Sequence, residues 1–277
     1  MSFKQYLPAD IAGGLDETYR TEAWAADYPG KAYYERHIAI IEQYETAAAL
    51  FREFLSGGGL RILESGCGTG RWMAYFEMLG NRAVGVDDSR GPLEMARQHD
   101  ADMQLVRANA LATPFRAHSF DAAFSSYVAE HFEQGPEPLF REIHRVLKPG
   151  GFFFVVVPFN NSFRRWVVNP TLRLLYLIRR LQGQPLGFTE FRYAKHEMDT
   201  FLARTNFEVL RVLPDDFRLP WSKGLFVDLS DVGCFFRYVP PRPYEFGRFG
   251  TRVRRLIHRC GPWQSCAGIF YVARARP

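Results

Sequence analysis

Cysteine is scarce in this chain, with four residues in 277. That excludes a disulfide-stapled scaffold, and the positions of Cys67, Cys234, Cys260 and Cys266 match no zinc pattern of close ligand pairs, so they read as reduced thiols and no metal is expected. Long apolar runs are missing as well. The longest, Phe152 to Phe159, covers eight residues and contains a proline, against the roughly 20 needed to span a bilayer, which argues against an integral membrane protein. The opening Met-Ser-Phe-Lys-Gln-Tyr-Leu-Pro has neither a signal-peptide layout nor the Ser/Arg bias of a transit peptide, so a cytoplasmic location is expected. Internal repeats and low-complexity segments are also lacking. Acidic residues are short in one half only: residues 1–150 hold 15 Lys/Arg against 21 Asp/Glu, whereas residues 151–277 hold 20 against 9, and 18 of those 20 cations are arginine. An Arg-rich half beside an acidic one suggests an anionic partner, whether nucleic acid, a phospholipid surface or a phosphorylated substrate, or else a solvated basic face with no partner.

What the chain does have is core-forming material, 47% of it apolar, arranged as alternating strand and helix patterns. Leu60–Glu64, Ala83–Asp87, Met103–Val106, Phe120–Ser125 and Phe152–Val157 read as strands. Arg71–Leu79, Pro92–His99 and Pro138–Leu147 read as the helices between them. This alternation predicts a doubly wound, Rossmann-like parallel sheet covered on both faces. Upstream, apolar residues at helical spacing over Lys31–Leu55 predict one long amphipathic helix, so that residues 1–58 form an N-terminal helical lid or flank on a domain of residues 59–277. Within that domain two insertions, at about 159–190 and 214–267, would cap the substrate side. The first carries a basic amphipathic stretch at 163–181. Further helices are expected at Glu197–Ala203 and Arg252–Arg259, and further strands at Phe207–Leu213 and Ile269–Ala273.

The first strand ends in Glu64-Ser65-Gly66-Cys67-Gly68-Thr69-Gly70 and opens a helix, which puts backbone N–H groups at the carboxyl edge of a sheet, where such sheets bind ligands. The dinucleotide fingerprint fails by one position, because its third glycine would fall at Arg71. Glu64 would repel a pyrophosphate but suits a cationic head. Asp87, 17 residues beyond Gly70, is placed to accept hydrogen bonds from ribose hydroxyls. The ligand implied carries an ammonium and a ribose and no pyrophosphate.

These residues resemble those of the class I S-adenosylmethionine (SAM)-dependent methyltransferases. Ile62-Leu63-Glu64-Ser65-Gly66-Cys67-Gly68-Thr69-Gly70 is similar to their first motif and Val84-Gly85-Val86-Asp87-Asp88-Ser89 to their second. Ser119–Ser126, Glu130-His131 and Leu147-Lys148-Pro149-Gly150-Gly151 follow in the family's order. The resemblance implies a seven-stranded, mostly parallel sheet with an antiparallel final strand. It places Gly66, Gly68 and Gly70 against SAM and its product S-adenosylhomocysteine, with Asp87 on the ribose and Glu64, Cys67, Asp88, Ala110 and Ser126 nearby. Asn109 stands where the family usually has an Asp for the adenine amine; its side-chain oxygen can still accept that bond.

Methyl transfer from a sulfonium needs alignment, plus a base where the nucleophile is a hydroxyl. His131 is the candidate base, the alternative being that it orients its loop; His196 is a weaker candidate, and His144 reads as structural. Tyr33 and Tyr34 either cover the cofactor or belong to the core. Glu130-His131 resembles the pair of the ubiquinone-type O-methyltransferases, and the basic amphipathic stretch suits a small or lipid-linked acceptor and contact with an anionic membrane surface, the alternative being that the helix buries its apolar face in the domain or in a homodimer interface. Nucleic-acid methylation and a non-catalytic partner role are the rival functions: arginines interleaved with Phe, Tyr and Trp between 235 and 263 could bind RNA phosphates and stack bases, but no base-methylation signature is visible, and the intact glycine loop with Asp87 argues against a non-catalytic role.

Overall fold

The computed structural model describes residues 1–9, 30–44, 47–217, 222–236 and 248–277. Positions 218–221 and 237–247 of the expected 214–267 insertion, positions 10–29 and 45–46 of the expected 1–58 lid, and the side chain of Cys234 lie outside the described residues.

The elements, in chain order, are β1 (Phe3–Pro8), α1 (Lys31–Tyr44), α2 (Ala47–Leu55), β2 (Arg61–Ser65), α3 (Arg71–Met78), β3 (Arg82–Asp87), α4 (Arg90–His99), β4 (Leu105–Arg107), β5 (Phe120–Ser126), α5 (Glu137–Val146), β6 (Leu147–Pro158), α6 (Asn169–Leu181), β7 (Leu186–Arg192), α7 (Lys195–Arg204), β8 (Phe207–Asp215), α8 (Lys223–Phe236), α9 (Arg248–Arg259) and β9 (Gly268–Ala275). Seven strands form one sheet in the order β4-β3-β2-β5-β6-β9-β8, and β1 pairs with β7 in a separate two-stranded sheet. β2 through β6 run parallel, while β9 runs antiparallel to both β6 and β8. The sequence order crosses over at β2, so the carboxyl ends of β2 and β5 flank the position where loops diverge to opposite faces.

Alternation along the strands sends neighbours to opposite cores. Phe154 joins a cluster with Ile62, Phe124 and Phe270 under α1, α2 and α3, while Phe153 joins Leu63, Ala123 and Tyr271 under α5 and α7. Phe51 of α2 is fully buried at the centre of the first cluster. Its ring lies 5.0 Å from Phe76, 5.1 Å from Phe154 and 5.2 Å from Phe124.

Several expectations are corrected. The helix expected over Lys31–Leu55 is found as α1 and α2, on either side of residues 45–46, which lie outside the described residues. Residues 1–58 are not helical throughout, because Phe3–Pro8 is a strand. The stretch 163–181 is a π-helical turn, Arg164–Val168, followed by α6. β7 falls in a segment where no strand was expected, since its polar-apolar pattern is short and its only partner is β1, more than 170 residues away in sequence. No described helix is long and apolar enough to cross a membrane.

Candidate functional site

The loop from Gly66 to Gly70 sits at the carboxyl end of β2, and left-handed backbone is what shapes it. Gly66 has φ 77°, and a Cβ there would come 2.2 Å from Val128 Cγ2, so the loop and the turn after β5 touch only because the side chain is absent. Gly68 has φ 52° with nothing within 4 Å of an added Cβ, leaving open space above the loop. The N–H groups are turned inward: Gly66 and Cys67 donate to the Val86 carbonyl at 2.7 and 3.0 Å, and Gly70 donates to that of Cys67 at 2.8 Å. Gly68 N donates to Asp87 Oδ2 at 2.9 Å. The expectation that the N–H groups of this loop face a ligand is therefore corrected for Gly66, Cys67, Gly68 and Gly70, whose N–H groups the turn itself uses.

What remains for a ligand is a set of acceptor oxygens. Glu64 is buried at the end of β2, and its Oε2 has no hydrogen-bond partner. Burial pushes its carboxyl well above the usual range, against the pull of the Arg71 charge and the Met73 N–H, with Asp87 pushing the same way as burial. An ammonium or sulfonium beside the loop would relieve that group, whereas a phosphate would not. Asp87 carries the loop as well: Oδ2 accepts from Gly68 and Oδ1 from Ser89 N at 2.9 Å, so each oxygen keeps a lone pair for a hydroxyl. These residues fit a ligand with a cationic head and a ribose.

The other expected cofactor residues fall around this loop with different environments. Asp88 is exposed and its Oδ1 accepts from Ser89 Oγ at 3.2 Å. Asn109 is exposed, and its Oδ1 already accepts from Leu111 N at 2.8 Å, which leaves one lone pair and the amide N–H groups for an adenine edge. Ala110 and Ser126 are half-buried. Cys67 points the other way, beneath the loop: an added Cβ at Gly85 would lie 2.6 Å from its Sγ, and burial pushes its thiol pKa well up. Tyr33 and Tyr34 are both core and cover. They are buried, yet the Tyr33 hydroxyl lies 2.6 Å from Thr69 Oγ1 and the Tyr34 hydroxyl donates to the Thr69 carbonyl at 3.0 Å, clamping α1 onto the glycine loop.

Beyond β5 the chain enters the turn whose Val128 abuts Gly66, and His131 N donates to the Val128 carbonyl at 3.1 Å. His131 Nδ1 lies 2.9 Å from the Thr189 carbonyl of β7. A carbonyl only accepts, so Nδ1 carries the proton and Nε2 keeps its lone pair. Nε2 is 3.9 Å from Oε1 of Glu130, a buried side chain whose pKa is raised well above normal chiefly by burial and next by Glu190. His196 is exposed on α7, and His144 faces the Arg276 carbonyl at 3.1 Å, at the far end of β9.

Sequence reasoning missed a second cluster at this edge. Tyr127, immediately after β5, has φ 55°, a strained setting for a bulky residue. Its hydroxyl donates to Asp215 Oδ2 at 2.6 Å, and Lys223 Nζ sits 3.7 Å from its ring centroid and 3.9 Å from Asp215 Oδ2. The three residues come from β5, β8 and α8, and no spacing in the sequence announces that meeting. Among the described residues no group of His, Cys, Asp and Glu could hold a metal ion.

Comparison with known proteins bears on the domain and fold that carry this site. A family described as "Methyltransferase domain" matches residues 63–155. A malonyl-[acyl-carrier protein] O-methyltransferase of Erwinia pyrifoliae is 30% identical over 138 residues, 50% of this chain and 52% of that protein. An uncharacterized protein of Mycobacterium tuberculosis is 30% identical over 207 residues, 74% of this chain and 62% of that one. The chain thus spans about half to three fifths of the length of these relatives. Among solved structures, the S-adenosylmethionine-dependent methyltransferase from Mesorhizobium loti superposes with a TM-score of 0.54 at 20% identity, covering 83% of this chain and 98% of that one.

Proposed function

Residues 63–155 are a methyltransferase domain on a class I, SAM-dependent fold, and from that premise we propose that the chain transfers the methyl group of SAM to a hydroxyl oxygen of a small or lipid-linked acceptor. The observation that carries the reading is the buried Glu64 carboxyl, whose Oε2 has no hydrogen-bond partner, beside a glycine loop in which the N–H groups of Gly66, Cys67, Gly68 and Gly70 are already used. Such a site rewards a cation and a ribose. Bound SAM supplies a methyl carbon already activated by its sulfonium.

The chain's own residues have the remaining tasks. Asp87 holds ribose hydroxyls with the lone pairs left over from Gly68 and Ser89. Asn109 meets the adenine edge from the turn after β4. Tyr33 and Tyr34 fix the lid helix on the loop and exclude water from beneath it. His131, its tautomer set by Thr189, takes the acceptor's proton on Nε2, and the neighbouring Glu130 carboxyl steadies the imidazolium that results. Support for oxygen as the nucleophile comes from this tautomer and from the O-methyltransferase relatives.

The test is in two stages. Thermal unfolding is followed with SAM and with S-adenosylhomocysteine; a ligand at 100 times its dissociation constant adds about 2.7 kcal/mol, and absence of any shift overturns the reading. The protein is then incubated with SAM and either a lipid or an aqueous cell extract, with S-adenosylhomocysteine release read by mass spectrometry. Release with the lipid fraction supports a lipid-linked acceptor, release with the aqueous fraction alone a small polar one, and release that depends on added RNA replaces the hydroxyl acceptor with a nucleic acid.

A further inference from the structure

Helix α6 is apolar on two sides. Its inner side is accounted for: Val168 and Leu172 are buried against Phe3 of β1, with Leu175 and Tyr176 packed at the edge of the same cluster. The outer side is not. Leu174, Leu177, Ile178 and Leu181 fall at i, i+3, i+4 and i+7, one stripe of the helix, and they are 53%, 54%, 39% and 80% exposed. Trp166, in the π-helical turn that leads into α6, is 81% exposed. These five account for most of the exposed large apolar side chains among the described residues. A soluble surface scatters such residues singly; a contiguous stripe marks a contact.

The charge around the stripe is of one sign. From Phe159 to Thr189 the chain contains five arginines and no Asp or Glu. Arg164 turns inward to a buried ion pair with Asp228 at 2.5 Å. Arg165, Arg173 and Arg180 are exposed, and Arg179 is half-buried. Arg165 meets only Ser162 Oγ at 3.3 Å and Arg173 the Phe3 ring at 5.7 Å, and no acidic side chain among the described residues pairs with Arg165, Arg173, Arg179 or Arg180.

We propose that this outer face of α6, with Trp166, is a docking surface for an anionic lipid bilayer, on which the helix lies in the interface plane. An apolar stripe enters the acyl boundary while flanking arginines meet phosphate and carboxylate headgroups. Charge decides against a second copy of the chain as the occupant. A two-fold contact through this face would set Arg165, Arg173 and Arg180 of one copy against the same arginines of the other with no acid to offset them. The surface sits on the cap that covers the exit of β5, because α6 packs on β1 and β1 pairs with β7, whose Thr189 holds His131. Docking would therefore present the acceptor side of the molecule to the membrane. It stands on the exposed stripe and does not depend on methyl transfer.

The test is flotation of the full chain with phosphatidylcholine vesicles and with vesicles that also contain phosphatidylserine, at low and high salt. Binding to the anionic vesicles only, weakened by salt, is the expected result. Leu177→Glu combined with Leu181→Glu, two exposed positions that leave the core untouched, is expected to lower the bound fraction about tenfold or more while leaving the thermal midpoint and its shift with SAM unchanged. Arg173→Glu with Arg180→Glu should weaken binding to anionic vesicles in the same way. No binding to anionic vesicles at low salt overturns the proposal, as does binding indifferent to both variant pairs. Sedimentation velocity distinguishes the remaining occupant: a dimer that Leu177→Glu with Leu181→Glu disperses would assign the face to self-association instead. A chain that fails on vesicles yet is stabilised by SAM leaves the enzymatic reading standing.

Discussion

Asp87 does two jobs with one carboxylate, and they can be separated. Asn at this position offers one acceptor oxygen where the carboxylate offers two, so either Gly68 N or Ser89 N loses its partner. Asp87→Asn is expected to cost about 1–3 kcal/mol of stability in denaturant unfolding, together with about a tenfold or greater loss of SAM affinity by calorimetry. His131 is the other residue whose role has a sharp signature. His131→Gln removes the proton acceptor while its amide can still donate to Thr189; kcat is expected to fall about 10²–10⁴-fold, the acidic limb of the kcat–pH profile to vanish, and SAM affinity to stay as it was. A histidine that only orients the turn would leave that limb in place. The Tyr127–Asp215–Lys223 cluster lies at the same edge, and its strained tyrosine is the mark of a backbone held there by its surroundings.

Helix α1 illustrates how an element's attachment is set by proton binding. Tyr33 stacks on His99 at 4.4 Å and contacts His37 at 4.3 Å, so two imidazoles sit between α1 and α4. Burial lowers the pKa of both, that of His37 to about 4, with Arg71, Arg36 and His99 adding to the effect. In the unfolded chain an imidazole titrates near 6.5. The native state therefore binds fewer protons than the unfolded state between pH 6.5 and about 4, and stability falls as pH falls through that window. Relative to His37→Gln, the wild type is expected to lose more of its thermal midpoint on acidification from pH 7 to 4.5 and to lose SAM affinity with it, because Tyr33 and Tyr34 rest on Thr69. A pH dependence identical in the wild type and in His37→Gln would show that α1 does not dock through a neutral His37, since the raised carboxyls of Glu64 and Glu130 act in the opposite sense in both proteins.

At the scale of the whole molecule, the sheet and its cap are joined by a buried charge. Arg164 is fully buried, pairs with Asp228 of α8, and reaches Gln5 of β1 at 3.0 Å. Asn161 adds a 2.9 Å bond to the same Asp228 and a 3.0 Å bond to the Cys266 carbonyl just before β9. The N-terminal strand, the π-helical turn, α8 and the sheet edge thus meet at one ion pair. Replacing one member leaves the other buried and uncompensated, so Arg164→Met is expected to lower stability by about 3–5 kcal/mol in denaturant unfolding. Burial already raises the Asp228 pKa against the pull of Arg164. A loss of less than about 1 kcal/mol would mean that water reaches the pair.

Local pattern was enough for the central sheet and for the place of the glycine loop. Strand-helix alternation from Leu60 to Pro158, together with Gly66, Gly68, Gly70 and Asp87 at their spacing, is a near-neighbour property, and β2, β3, β5 and β6 form where the apolar runs lie. Tertiary structure decided what depends on distant partners. β1 and β7 are strands only because each is the other's ladder. The direction of the loop N–H groups was set by Val86 and Asp87, not by the glycines that make the turn. Likewise the composition of 163–181 showed an apolar, arginine-rich helix but not which apolar residues it would bury. Phe3, more than 160 positions away, took Val168 and Leu172, and burial of one face left the other for whatever lies outside the molecule.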